Sequence, residues 1–397
     1  MADPEQLTMK SGNRYSISEW AGAAGDLGTI LPLAFALVIF NGFSPHRLFF
    51  LWGLVFVATG LYFRIPISVQ PLKAMVVIAI AAGFGTAELA TTAFFFGLLI
   101  LLLSVTGFIR VLQRWFTQAL VRGIQLGIGL ILLQKAYILV RDTGFHFGSE
   151  GTTLLNLALT AIVIVILGIF QLRLKLPVSI VLLVLGIGIS ILLGVRLPEP
   201  MSSEAIVRLQ LPETGFFWSA IFLLIIPQLP LTLGNSIYAA SDACHSFWPE
   251  RSGRVSPTSL GTSIGVSNLL IGIAGGFPVC HGAGGMAAYA KFGGRTGGTT
   301  VIIGSILIVS ALVKPAADLL FYIPIPLLGA LLAIASWGLI ILVRNLENTP
   351  QISTAIIVGL ISLITRNLAI AVLSGIVIEY LLGMLHKQRA SFKGENP

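Results

Sequence analysis

Two apolar runs of this chain are broken at their centres, one by RIPISVQPLK at residues 64–73 and the other by GGFPVCHGAGG at residues 275–285. Each break brings in prolines, which lack a backbone donor, together with polar side chains or glycine runs. In a bilayer, backbone outside a regular helix persists only where protein or a cavity satisfies its N–H and C=O groups. A pair of interrupted spans, one in each half of a chain, is the pattern of a transport site near the membrane midplane.

That the setting is a bilayer follows from composition. Hydrophobic residues fill 56% of the 397 positions and charged residues 10%, at a mean hydropathy of +0.94. This is more apolar surface than a soluble core of that size buries. The net charge of +8 does not point to nucleic acid, because the lysines and arginines lie between the apolar runs and read as topology signals. The opening MADPEQLTMKSGNRYSISEW has acidic residues and no apolar centre, so the first span is expected to insert and stay uncleaved.

Apolar windows fall near 17–40, 45–63, 68–84, 87–108, 118–140, 153–171 and 177–194, then near 216–240, 258–276, 280–291, 298–319, 321–342, 352–365 and 367–386. The expected fold is an all-α polytopic membrane protein of about 14 transmembrane segments, with short third and tenth spans. An odd number per half makes the second half enter from the opposite side, which is a 7+7 inverted repeat on the logic of about seven spans each. A weak internal echo agrees: GDLGTILP at 25–32 precedes Pro66 by a gap comparable to that between PQLPLTLGN at 227–235 and Pro278.

The expected organisation is therefore a cytoplasmic segment at 1–16, a first repeat at 17–195, a connecting loop at 196–215, a second repeat at 216–386 and a short tail at 387–397 without a soluble regulatory domain. With the amino terminus inside, residues such as Lys10, Arg14, Arg64, Arg114, Lys175, Arg251, Arg295 and Lys393 outnumber outer ones such as Arg47, Lys135, Arg196 and Lys314 by roughly two to one. Both termini are expected in the cytoplasm and the protein in an inner or plasma membrane.

Asp26 stands among small residues inside the first span, where a charge costs about 2.5–3.5 kcal/mol on insertion scales. It reads either as a positioning or capping group or as a proton-coupling site. Lys73, just past the first break, needs an anion or a carboxylate, and Asp26 would serve as the latter. Ser68 and Gln70 supply donors, and Pro71 suits the first turn of a half-helix whose free amides would cradle an anion. His281, Gly282, Ala283, Gly284 and Gly285 would do the same from the other half. Gln228, Asn235 and Ser236 offer uncharged hydrogen bonds beside prolines 227 and 230 that kink the eighth span, whereas Asp242 and Glu250 read as interfacial. Cys244-His245 and Cys280-His281 lack the usual metal-ligand spacing, and no nucleotide-binding or hydrolase motif occurs, so no metal, cofactor or enzyme activity is expected.

The segments EWAGAAGDLGTILPLAFAL, PISVQPLKAMVVIAI and GGFPVCHGAGGMAAYAKFGGRTGG resemble the molybdate transporter family, which is related to the sulfate permeases. The resemblance implies a core domain of spans one to four and eight to eleven, a gate domain of the rest, a homodimer, and an oxyanion site where the short third and tenth spans meet. On this chain the motifs fall on Gly25, Asp26 and Thr29, on Gln70, Pro71 and Lys73, and on Pro278, His281, Gly282, Gly284 and Gly285, with Cys280 and Ala283 of the same break expected among the substrate contacts. Nucleobase permeases of similar architecture use paired glutamates where Asn235 and Ala283 or Gly284 stand here. The expected function is import of molybdate through the lipid bilayer by alternating access, with protons as coupling ion. Transport of sulfate or another tetrahedral oxyanion, an anion channel, and a metalloenzyme built on the Cys-His pairs are the rival readings.

Overall fold

A computed structural model describes residues 12–113, 117–146, 153–173, 178–195, 205–313 and 317–392. Segments 1–11, 114–116, 147–152, 174–177, 196–204, 314–316 and 393–397, and with them Lys10, Arg114, Lys175, Arg196, Lys314 and Lys393, lie outside the described residues.

The chain is predominantly helical. The first half contains α1 (Ile17–Asn41), α2 (Pro45–Phe63), the two-residue strand β1 (Gln70–Pro71), α3 (Lys73–Ala82), α4 (Thr86–Val105), the short α5 (Ile109–Gln113), α6 (Gln118–Asp142), α7 (Thr153–Arg173) and α8 (Val178–Leu192). The second contains α9 (Thr214–Phe247), α10 (Pro257–Ile273), β2 (Val279–Cys280), α11 (Ala283–Phe292), α12 (Gly298–Leu312), α13 (Ile325–Ile340), α14 (Thr349–Thr365) and α15 (Leu368–Phe392). Every expected apolar window holds one of these helices. Six of them, α1, α2, α4, α6, α9 and an extended α13, are long and apolar enough to cross a membrane, and most of the others are shorter apolar helices.

Helix ends follow local chemistry. Gly42 and Gly83 close α1 and α3 in the left-handed region, at φ 73° and 72°, which glycine adopts without strain. Proline opens α2 and α10, where a missing N–H is harmless. In α9, prolines 227 and 230 remove two intrahelical donors, and π-helical turns at Ala220–Ile225 and Thr232–Tyr238 flank them while the helix continues on both sides.

α2 packs on α12, α4 on α10, and α6 on both α13 and α14. Glycine permits the closest of these approaches: a Cβ at Gly97 would lie 2.5 Å from the Leu269 amide, and one at Gly60 2.5 Å from the Gly297 carbonyl. The GGRTGG run has its own structural reason. Glu19, 1% exposed, accepts from the amides of Arg295 and Thr296 and from the hydroxyls of Thr296 and Thr299. One buried carboxylate thus satisfies the start of α12 and ties it to α1.

Candidate functional site

The two breaks meet. β1 and β2 form an antiparallel ladder in which Gln70 faces Cys280 and Pro71 faces Val279. Pro71 therefore belongs to the strand, and α3 begins at Lys73, two residues later than a proline-initiated half-helix requires. The ladder explains the shift: the Leu72 amide donates to the Pro278 carbonyl (3.1 Å), while the Leu72 carbonyl accepts the first helical bond from Val76 (2.9 Å). Neither proline sits where a donor is demanded.

The remaining unwound groups are answered by side chains from neighbouring helices. Asn268 of α10 brackets Val279, donating to its carbonyl (2.7 Å) and accepting from its amide (2.8 Å). Trp52 Nε1 donates to the Phe277 carbonyl (2.9 Å) and Thr300 to the Ile67 carbonyl (3.3 Å). His281 Nδ1 lies 3.0 Å from the Ser68 carbonyl and Nε2 2.9 Å from Ser263 Oγ. A carbonyl only accepts, so Nδ1 carries the proton. Both ring nitrogens are thus engaged by protein, and the ring, 1% exposed, clamps the two breaks together.

Asp26 is the hub of the crossing. Its carboxylate accepts from Ser68 Oγ (2.6 Å), from Gln70 Nε2 and from Tyr289 Oη (2.9 Å). One acidic side chain on α1 thereby joins the first break to α11. Gly285 makes room for this: a Cβ there would lie 2.1 Å from Ser68 Oγ and 2.8 Å from Asp26 Oδ2. Gly285→Ala is therefore expected to lower the melting temperature of purified protein by several degrees and to reduce uptake by about 5- to 150-fold, on the scale of about 1–3 kcal/mol for overpacking. A wild-type melting curve and wild-type uptake would remove Gly285 from the network.

The two short helices present different amino ends. The Ala74 and Met75 amides of α3 donate to Gln228 Oε1 of α9, at 3.1 and 3.4 Å. In α11, Gly285 and Met286 turn back to the Gly282 carbonyl, which leaves the first helical amides, Ala283 and Gly284, without an intrahelical acceptor. Gly284 is exposed, and a Cβ there meets nothing within 4 Å. Lys73 is part-buried and within electrostatic reach of Asp26 and Cys280. Among the described residues no side-chain hydrogen bond or ion pair engages its ammonium.

Around this crossing, Thr29 is part-exposed one turn beyond Asp26, Asn235 is part-exposed on a π turn of α9, and Ser236 is buried near Cys280. Gln70 passes Gly282 so closely that a Cβ there would lie 2.6 Å from Gln70 Oε1. Cys244 instead packs on Met286 (3.4 Å), and His245 pairs with Ser252 (2.7 Å). Among the described residues no group of three or more histidine, cysteine or acidic side chains is placed to hold a metal ion. Asp242 and Glu250 are exposed.

The family described as "Molybdate transporter of MFS superfamily" matches residues 18–132 and 220–339, more than half of the chain and both breaks. The chain belongs to the molybdate transporter family. Molybdate transporter 1 of Arabidopsis thaliana is 31% identical over 95% of this chain and 90% of its own length. Among solved structures, the transmembrane domain of a cyanobacterial bicarbonate transporter, BicA, shares the fold with a TM-score of 0.64 at 20% identity, over 92% of this chain and 97% of that one. The murine Solute Carrier 26 family member A9 anion transporter, in an inward-facing state, does so with a TM-score of 0.68 at 13% identity, over 96% of this chain and 70% of that one.

As a member of the molybdate transporter family, the chain has Tyr289 and Asn268 in structural roles that its sequence did not advertise. Tyr289 sits among small residues on α11 and is fully buried. Asn268 lies in an ordinary apolar helix. Each becomes a partner only through contacts that no local pattern announces.

Proposed function

We propose that this protein imports molybdate by alternating access, with the oxyanion held where β1, β2 and the amino ends of α3 and α11 converge. The observation that carries this reading is the Lys73 ammonium, without a side-chain hydrogen bond or ion pair among the described residues and within electrostatic reach of Cys280, at the start of a helix whose leading strand pairs with the strand leading into α11. A cation and a helix amino end brought to one crossing favour a compact anion, and the family supplies the candidate substrate. Asp26, Ser68 and Gln70 hold the frame, Gln70 and Cys280 line it through the ladder, and Thr29 and Asn235 flank it. His281 acts through the frame rather than on the anion, because both of its nitrogens are already bonded.

The architecture assigned to this function is a 7+7 inverted repeat, residues 17–195 and 216–386, with α1–α4 and α9–α12 as core and α6–α8 and α13–α15 as gate. Helix pairing supports it. Exchanging equivalent helices of the two halves turns the α4–α10 contact into α12–α2 and the α6–α14 contact into α13–α7, and all four pairs pack in the structure. The core moves against the gate as one body, both termini face the cytoplasm, and two copies form a homodimer in an inner or plasma membrane. A dianion entering a negative interior is opposed by about 2.3 kcal/mol per charge per 100 mV, which favours import together with protons.

Labelled molybdate uptake into proteoliposomes, with and without an inward proton gradient, tests the reading. Uptake is expected to saturate, to rise with the gradient and to withstand a large excess of sulfate. Block by sulfate at a concentration comparable to molybdate would replace molybdate with a general tetrahedral-oxyanion substrate. Flux that fails to saturate and shows no countertransport would favour a channel.

A further inference from the structure

The sequence places Gln228 among the substrate contacts, yet both ends of its amide are engaged by protein. Oε1 accepts from the second and third residues of α3, Ala74 and Met75, and Nε2 donates to Thr232 Oγ1 one turn along α9 (3.1 Å). The side chain is 2% exposed. Position before α3 is occupied by Leu72, which brings no side-chain acceptor of its own. Gln228 therefore does for α3, from across the fold, what an N-cap side chain does locally. Gln228 lies in the α-helical segment between the two π turns of α9, π turns being frequent at functional sites, and its side chain reaches α3. The equivalent place on α11 is Gly282, and among the described residues no side chain accepts from Ala283 or Gly284.

We propose that Gln228 is a positioning residue that closes the amino end of α3 to the substrate, so that oxyanion recognition falls on the α11 side and on Lys73. A neutral amide oxygen occupies the donors that a substrate oxygen would otherwise take. The two helix ends, equivalent under an inverted repeat, become unequal, and a tetrahedral anion is presented with one preferred side. This rests on the anion reading above and refines it.

The test compares wild type, Gln228→Ala and Gln228→Glu as purified full-length protein, measuring melting temperature alone and against titrated sodium molybdate and, separately, sodium sulfate. Without anion, Gln228→Ala is expected to melt several degrees below wild type, since two buried amides lose their acceptor. Gln228→Glu is expected to recover most of that loss, because a carboxylate at a helix amino end accepts the same two bonds. Molybdate should still stabilise Gln228→Ala, with a half-saturating concentration within about threefold of wild type. A Gln228→Ala protein that melts like wild type but no longer responds to molybdate would make Gln228 a substrate ligand and overturn the proposal. If Gln228→Ala yields no folded protein, Gln228→Glu decides: a monodisperse, cooperatively melting variant supports the cap, and an aggregated one refutes it. A wild type that ignores molybdate would defeat the anion reading alone, because the anion-free melting temperatures report on the cap independently.

Discussion

Asp26→Ala is expected to abolish molybdate uptake and to destabilise the purified protein by about 3 kcal/mol or more, the scale for stranding several buried donors. The reason is the convergence on one carboxylate. Ser68, Gln70 and Tyr289 all donate to it, and it is 1% exposed, so no bulk solvent replaces the lost acceptor. The damage does not stay local. Ser68 and Gln70 belong to the first break, Tyr289 to α11, and their shared acceptor sets the spacing between the two short helices. Asp26→Asn separates positioning from proton coupling. Asparagine is neutral at every pH, and its NH2 group faces donors on at least one side. Positioning predicts that gradient-driven accumulation and molybdate exchange at equilibrium fall together. A variant that exchanges at the wild-type rate but no longer responds to the proton gradient would make Asp26 the coupling group instead.

How much of this was readable beforehand depends on the range of the interaction. The breaks at 64–73 and 275–285 were visible because proline and glycine act on their own backbone, and the apolar windows located the helices because burial in lipid is a property of each segment. Asp26 and Lys73 stood out as charges in apolar surroundings. Partners were a different matter. Nothing within ten residues of Tyr289 says that it reaches α1, and a glutamine between two prolines reads equally well as a substrate ligand or as a satisfier of backbone. His281 reads from the sequence as part of an anion cradle in a broken span. In the fold, Ser68 and Ser263 engage both of its nitrogens, partners far away in sequence. The strand pairing of Gln70 with Cys280 was equally silent, because two residues on each side carry no periodicity to detect.

Lys73→Met is expected to change binding in the opposite sense from its effect on the fold. An ammonium at the first position of a helix is repelled by the helix dipole. It lacks a hydrogen-bond partner among the described residues, and its neighbouring carboxylate, Asp26, is already spent on three donors. Removing such a charge relieves an unfavourable burial, so the anion-free protein should melt at the wild-type temperature or above it. Molybdate, in contrast, loses the full positive charge proposed to hold it. A charge-assisted contact is worth about 1.5–3 kcal/mol, which corresponds to an increase of roughly 10- to 100-fold in KM for uptake and in the half-saturating concentration for thermal stabilisation. Lys73→Arg should recover part of the binding, since the charge returns with a bulkier head. The combination of intact melting and weakened anion response is what distinguishes a substrate-facing lysine from a structural one. If Lys73→Met instead melts far below wild type, as Asp26→Ala is expected to, the lysine is the structural partner of Asp26, and the positive charge that attracts the anion must be sought elsewhere along the core.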